Sequence, residues 1–133
     1  MDAVSLNNKG DEIADYSLNF KLGAAASRKR TSIFAYGAGL KRAVSAVSTD
    51  AMTRSLSYKN DQIPSLATTP YYSAAGDILV ATDIQSETYY QGDKGDEIAD
   101  YSLNFKLGDT TNIKSTSIFA YGAGLKRAVS AVS

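Results

Sequence analysis

The chain contains no cysteine and no histidine among its 133 residues. The missing cysteine excludes disulfides, thiolate nucleophiles and cysteine-ligated metals. The missing histidine removes the commonest general base, the commonest neutral metal ligand and every Ser–His or Cys–His relay. Catalysis by carboxylates, lysine, tyrosine or serine stays chemically open. We nevertheless predict that the chain is not an enzyme and that it needs no metal or cofactor.

An excess of charge of one sign is also missing, because 14 Lys and Arg balance 14 Asp and Glu. This balance disfavours nucleic acid as a partner, since proteins that bind it usually carry a domain-wide basic excess. No apolar run approaches the length that spans a membrane. The first residues, MDAVSLNNKGD, do not combine a basic segment with an apolar one, so no secretory signal is visible. This favours a cytoplasmic-type interior as the location.

What the sequence does contain is a long internal repeat. Residues 9–48 return almost unchanged as residues 94–133, and only positions 24–28 and 30 differ from their counterparts. The identity fits a recent duplication, an artificial joining of two copies, or two copies that must fit the same partner. The spacer 49–93 has two basic and six acidic residues. We predict one compact domain, 1–133, built from the two repeats and this acidic connecting segment.

Each repeat begins with a segment that alternates apolar and polar residues, from Tyr16 to Leu22 and from Tyr101 to Leu107. Strict alternation predicts a strand with one apolar face. A helix over 11–22, or over 96–107, is the rival, because its acidic start and its closing glycine suit helix ends. After seven to eight polar or small residues, the β-prone run 32–36 predicts a second strand. Each repeat is therefore expected to form a β-hairpin with a long loop.

After the hairpin, the spacing of Leu40, Ala43, Val44 and Val47 predicts a short amphipathic helix, repeated at 125–132. The predicted fold class is therefore α+β: a duplicated β-hairpin plus short amphipathic helix, with the two hairpins packed in a pseudo-twofold arrangement. In the spacer, Pro64 and Pro70 predict an extended loop. Residues 74–89 fit a helix or a buried strand.

Three patterns suggest chemistry, and each has a plainer structural interpretation. Carboxylates at Asp93, Asp96, Glu97 and Asp100 would align on a helix, but a solvated acidic segment explains them better than a cation site. The sequence GAGLKR lacks both the P-loop and the dinucleotide-binding spacing, although backbone N–H groups and two cations there could hold an anion. The basic cluster 28–30 is mostly replaced in the second repeat, which favours a solvated loop, or contact with an acidic protein surface, over nucleic-acid binding.

Tyrosine supplies nine of the thirteen aromatic residues, and its ring with a polar tip suits protein interfaces. We predict a structural or scaffold-type interaction protein that presents a duplicated binding face, as a subunit of a larger or self-associating assembly. The alternative is a small-ligand or anion-binding module at the turns Gly37–Arg42 and Gly122–Arg127. The candidate interaction residues are Tyr71, Tyr72, Tyr89, Tyr90, Lys41, Arg42, Lys126 and Arg127.

Overall fold

The computed structural model of the chain describes residues 2–6, 13–21, 24–59 and 70–131. Over these residues the chain forms one antiparallel sheet in which every strand pairs with the next strand along the sequence. The seven strands are β1 Asp2–Leu6, β2 Ile13–Lys21, β3 Ala24–Tyr36, β4 Met52–Lys59, β5 Ile84–Gln91, β6 Ile98–Lys106 and β7 Asp109–Ile118. A 3-10 turn at Ala43–Ser45 and α1, Ala128–Ala131, follow β3 and β7.

The predicted α+β fold is wrong, because the described residues form an almost wholly antiparallel β structure. The predicted amphipathic helix fails at Leu40, whose φ of 52° lies in the left-handed region that a helix excludes. Lys41 then pairs back with Tyr36, so only one 3-10 turn forms before Ala46. Short segments rich in serine and valine have little intrinsic tendency to continue as a helix in water.

The predicted hairpins are present as β2–β3 and β6–β7, which decides between strand and helix in both repeats. The prediction of a long loop in the hairpin is wrong, because β3 starts at Ala24. The residues that vary between the repeats therefore belong to the strand. In the second repeat the turn is only Leu107 and Gly108, and Gly108 has a φ of 78°. The corresponding residues 22–23 lie outside the described residues, as does Pro64.

The two hairpins do not pair with each other, because β4 and β5 lie between them in the sheet. The predicted pseudo-twofold arrangement is therefore wrong. The repeats are related by an offset of 85 residues along the sheet: Val4 pairs with Tyr16 as Tyr89 pairs with Tyr101. The register shift after Val4 also recurs after Tyr89. The structural repeat thus includes the strand before each hairpin, although the sequences of β1 and β5 differ.

The two faces of the sheet carry different side chains, and cross-strand pairing places directly opposed residues on one face. One face carries the row Tyr16, Ile33, Leu56, Glu87, Leu103 and Thr116. The other face carries the row Ser17, Ser32, Ser57, Ser86, Asn104 and Ser115. The first row belongs to the apolar core and the second is a band of small polar groups.

The core is centred on β3, β4 and β5 and is covered by the segment after Pro70. Ile33, Leu56, Tyr58 and Ile84 are almost fully buried there. Four side chains of segment 71–80 pack in or against this cluster: Tyr71, Tyr72, Ile78 and Val80. The Tyr58 hydroxyl donates to the Val80 carbonyl at 2.7 Å, which satisfies the polar tip of a buried ring. Part of the extended loop that was predicted in the spacer is strand β4 instead. The run 74–89, which fitted either a helix or a buried strand, ends in strand β5.

Burial of tyrosine predicts a loss of stability in alkali. Burial raises the pKa of Tyr36 and of Tyr89 to about 12 in each case, with nearby carboxylates adding to the effect. Burial also raises the pKa of Tyr58 and Tyr72. An unfolded tyrosine ionises near pH 10, so the folded state holds more protons above that pH. The stability these groups contribute is present below about pH 10 and is lost as the pH rises through about 12.

This expectation is checked by ultraviolet titration of phenolate together with denaturant unfolding at pH 8 to 12. The folded chain should ionise its buried tyrosines only as it unfolds. The chain in denaturant is the control, and its tyrosines should all titrate together. A single folded-state transition near pH 10 covering every tyrosine would contradict the prediction.

Candidate interaction surface

The clearest candidate surface is the outer side of β7 together with the turn Gly122–Leu125 that follows it; we call this the open edge. β7 pairs with β6 on one side and is the last strand in the sheet order. Its counterpart β3 lies between β2 and β4. Within the described residues no strand pairs with the outer side of β7. The two repeats therefore differ in what covers them.

Burial follows this difference in covering. Ile33 in β3 is 1% exposed, whereas the identical residue Ile118 in β7 is 58% exposed. Thr31 is fully buried, whereas Thr116 is exposed. In the first repeat Leu56 of β4 lies opposite Ile33 and Tyr58 lies opposite Thr31. β4 supplies the neighbours that the second repeat lacks.

The turn after each hairpin has the same backbone conformation in both repeats. Gly37 and Gly122 have φ values of 67° and 69°, which favour glycine, and Leu40 and Leu125 follow at 52° and 51°. Leu40 is half-buried and packs against the core, whereas Leu125 is 76% exposed. The turn therefore has the same conformation whether or not another segment of the chain packs over it.

In the first repeat the turn is also bonded to the chain at the start of β4. The Gly37 N–H donates to the Ala51 carbonyl at 2.9 Å, and the Thr53 hydroxyl donates to the Gly37 carbonyl at 2.9 Å. The Lys41 ammonium contacts Asp50 at 3.1 Å. These contacts fix where β4 enters the sheet. Their counterparts in the second repeat are Gly122 and Lys126, both of which are exposed.

The arginine that follows each turn is paired with an aspartate of the same repeat. Arg42 donates to Asp15 from Nε at 2.8 Å and from a terminal nitrogen at 2.5 Å, and its guanidinium lies 5.5 Å from the Tyr71 ring centre. Arg127 contacts Asp100 from the same two nitrogens, at 3.0 and 2.9 Å, but both contacts reach one carboxylate oxygen. The Arg42 side chain is 7% exposed and that of Arg127 is 52% exposed. The pair belongs to the repeat: the aspartate is buried in both copies, and the arginine is buried only in the first.

The predicted tyrosine candidates lie in the interior or on the middle strands. Tyr71 and Tyr72 are buried in the core, and the Tyr72 hydroxyl donates to Glu87 at 2.7 Å. Tyr89 is half-buried and stacks on Tyr101 at 4.4 Å between ring centres. The half-buried Tyr90 shares a 3.1 Å hydrogen bond with the Ser55 hydroxyl. Lys126 and Arg127 are the candidates that lie beside the open edge.

Of the predicted acidic cluster, Glu97 and Asp100 have structural partners, whereas Asp93 and Asp96 are exposed. Burial alone would raise the pKa of Glu97, but backbone N–H groups, including those of Met52 and Gly95, hold it below its usual value. Glu87 accepts hydrogen bonds from Tyr72 and Tyr89 and lies 3.6 Å from Arg54. Over the residues that the structure describes, no group of three or more acidic side chains could hold a metal ion.

The glycine turns considered for anion binding already use much of their backbone. In the first turn the N–H groups of Gly37, Leu40 and Lys41 donate to carbonyls of the chain itself. In the second turn, Leu125 and Lys126 donate in the same way. The adjacent arginines are engaged by aspartates. In the basic cluster 28–30, the side chains of Arg28 and Lys29 lie outside the described residues.

The open edge was missed by reasoning from sequence. Its most exposed apolar members are Ile118 and Leu125, which are identical to core-contacting residues of the first repeat. The signal that could have found them is the repeat itself, since the first copy is followed by β4. Recognising it required knowing that residues 52–59 form a strand, which the spacer sequence does not reveal.

Comparison of the chain with protein-family models, with curated proteins and with solved structures gave no match. In the described part of the chain, none of the helices has the length and apolar character needed to cross a membrane.

Proposed function

We propose that this chain is a non-enzymatic structural or scaffold-type protein that joins an assembly through its open edge. The observation that carries the proposal is the contrast between Ile33 and Ile118, which are identical in sequence but buried and exposed respectively. One copy of the repeated unit is completed by the chain itself. Within the described residues the other copy has no such neighbour, and we propose that another polypeptide supplies it.

The physical basis is strand addition. An edge strand presents unpaired N–H and C=O groups that a neighbouring strand can bind. Natural edges are often blocked by proline, by several charges or by being very short. β7 has ten residues, no proline, and charged residues only at Asp109 and Lys114. Its last residues, 115–118, are uncharged and pair with β6 in regular register. This edge favours association.

The candidate tyrosines contribute to the proposal indirectly. Tyr89 and Tyr101 stack across β5 and β6, and the Arg54 guanidinium lies 4.4 Å from the Tyr89 ring centre. These contacts stiffen the strands that support β7. A rigid edge loses less conformational entropy on binding than a mobile one. The aromatic residues thus support the surface, and the aliphatic residues of the open edge form it.

A single charge at the edge tests the proposal. In the absence of another partner, the open edge should pair with the same edge of a second copy. The wild-type mass in sedimentation equilibrium should therefore rise with concentration. Ile118→Lys should weaken this association at least tenfold, because a lysine there would be desolvated by an added strand. Ile118 is exposed in the single chain, so folding should be unaffected.

Leu79→Lys is the matched control, because Leu79 is also an exposed aliphatic residue, 52% exposed, but belongs to segment 71–80 and not to the open edge. It should leave the association unchanged. Circular dichroism and denaturant unfolding check that both variants fold. A wild-type monomer at every concentration, or equal effects of the two lysines, would contradict the proposal.

A further inference from the structure

We infer that the open edge is built to receive an extended strand with the chemistry of β4, supplied by a second polypeptide and running antiparallel to β7. This inference rests on the proposed function and specifies the partner. Its basis is that the first repeat displays the same surface with its occupant in place. Residues 31–36 and 116–121 have the same sequence, TSIFAY. β4 therefore shows what that surface accepts.

The core-facing positions of the incoming strand must be apolar. In the first repeat Leu56 lies opposite Ile33 and Tyr58 lies opposite Thr31, and all four side chains are almost fully buried. The same geometry at β7 would place an aliphatic residue opposite Ile118. A large aromatic residue two positions later would lie opposite Thr116. These two contacts would cover Ile118 and Thr116 from the side of the incoming strand.

The alternate positions of the incoming strand must be small and hydroxylated. Ser57 lies opposite Ser32, and Ser55 lies opposite Phe34. The corresponding residues of the incoming strand would face Ser117 and Phe119. Asn104 already bonds Ser115 and Ser117 from the β6 side, so the polar band reaches the edge and can continue across it. The required pattern is small hydroxyl, aliphatic, small hydroxyl, aromatic.

The residues at the start of the incoming strand, and just before it, should make three further contacts with the turn that follows β7. A carbonyl should accept the Gly122 N–H as Ala51 accepts that of Gly37. A hydroxyl should donate to the Gly122 carbonyl as Thr53 does to Gly37. A carboxylate should meet Lys126 as Asp50 meets Lys41. These contacts fix both the register and the direction of the incoming strand.

The test uses a synthetic peptide with the sequence of residues 50–59, DAMTRSLSYK, and the full 133-residue chain. Fluorescence anisotropy of the labelled peptide should show saturable binding. A peptide with Leu56→Asp and a chain with Ile118→Lys should each lower the affinity at least tenfold. Leu79→Lys in the chain should leave it unchanged. Asp50→Asn in the peptide should lower the affinity about twofold, with the difference disappearing in high salt.

Hydrogen exchange locates the bound peptide. Added peptide should slow exchange in 115–118 and at Gly122, and leave residues 31–36 as they were. Fragments containing Ser115 distinguish the second repeat from the first, which has Arg30 at that position. Absence of binding at millimolar peptide, equal binding to the Ile118→Lys chain, or protection confined to the first repeat would overturn the inference.

Failure of this inference is distinguishable from failure of the proposed function. If the chain self-associates through the open edge but the peptide neither binds nor shifts the mass towards monomer, the proposed function stands and the β4-type partner is rejected. If the chain stays monomeric and the peptide binds at β7, the partner chemistry stands and self-association is rejected.

Discussion

Ile33→Ala is expected to lower the free energy of unfolding by about 2–5 kcal/mol, whereas Ile118→Ala should change it by less than about 0.5 kcal/mol. Ile33 is 1% exposed and packs in the core cluster that contains Leu56 of β4 and Tyr71, so truncation leaves a cavity there. Ile118 is largely in water and truncation leaves none. The two residues have the same neighbours in sequence for two positions before and at least ten after. Local propensity is therefore matched.

Denaturant unfolding of the two variants and the wild type, at a concentration where the chain is monomeric, measures the difference. Repeating the measurement with saturating DAMTRSLSYK peptide adds a control: an occupied edge should make Ile118→Ala costly as well. Equal losses at the two sites without peptide would show that β4 does not cover the first repeat as described.

Arg42→Met is expected to lower the free energy of unfolding by about 3–5 kcal/mol, since it leaves the Asp15 carboxylate buried without its cation. Asp15 is fully buried, and Arg42 donates two hydrogen bonds to it. Arg127→Met should cost less, about 1–2 kcal/mol, because the half-exposed Arg127 is partly screened by solvent, although Asp100 is itself buried. Both changes remove the same contact from the same repeated unit.

The double replacement Asp15→Asn with Arg42→Met separates a lost contact from a stranded charge. It should recover part of the loss caused by Arg42→Met alone, because no unpaired carboxylate remains. The measurement is again denaturant unfolding, with Asp100→Asn and Arg127→Met as the matched set. A double variant as unstable as the sum of its single changes would contradict the account.

The strands were the part of the fold most accessible from sequence. From Tyr16 to Leu22, apolar and polar residues alternate with a period of two, which is the pattern of a strand with one buried face. The loop expected after Gly23 was wrong because small and polar residues can also extend a strand beside a paired neighbour. Strand pairing is a tertiary property, and composition in a window of seven residues does not contain it.

The helix expected at 40–47 was wrong for a different reason. Its spacing matched a helical face, but Val44 and Val47 are exposed and the small residues Ala43 and Ala46 are the ones that pack. They pack in one cluster with Tyr36 and with Ile13, and Ile13 is distant in sequence. The helical spacing of the apolar residues therefore arose by chance in a segment that forms a turn followed by irregular chain.

The candidate site was only partly predictable. A pair of repeats suggested a duplicated surface, and the structure places Lys126 and Arg127 beside the surface that is open. Tyr71 and Tyr72 were predicted to lie at an outward-facing interface. Aromatic composition alone does not show whether a ring faces the core or the solvent. Their burial follows from segment 71–80 lying over β4 and β5, a long-range arrangement.

The shared sequence of β3 and β7 also creates a competition during folding. β4 can recognise residues 31–36 or 116–121 with the same side chains, so the two pairings are nearly degenerate in contact energy. The intervening lengths differ: residues 37–51 separate β4 from β3, and residues 60–108 separate it from β7. Closing the longer loop costs about 1 kcal/mol more, at about 0.6 kcal/mol per doubling of length. Connectivity, rather than side-chain chemistry, therefore selects the native partner, and a nascent chain that reaches β4 before β7 exists has no rival to avoid.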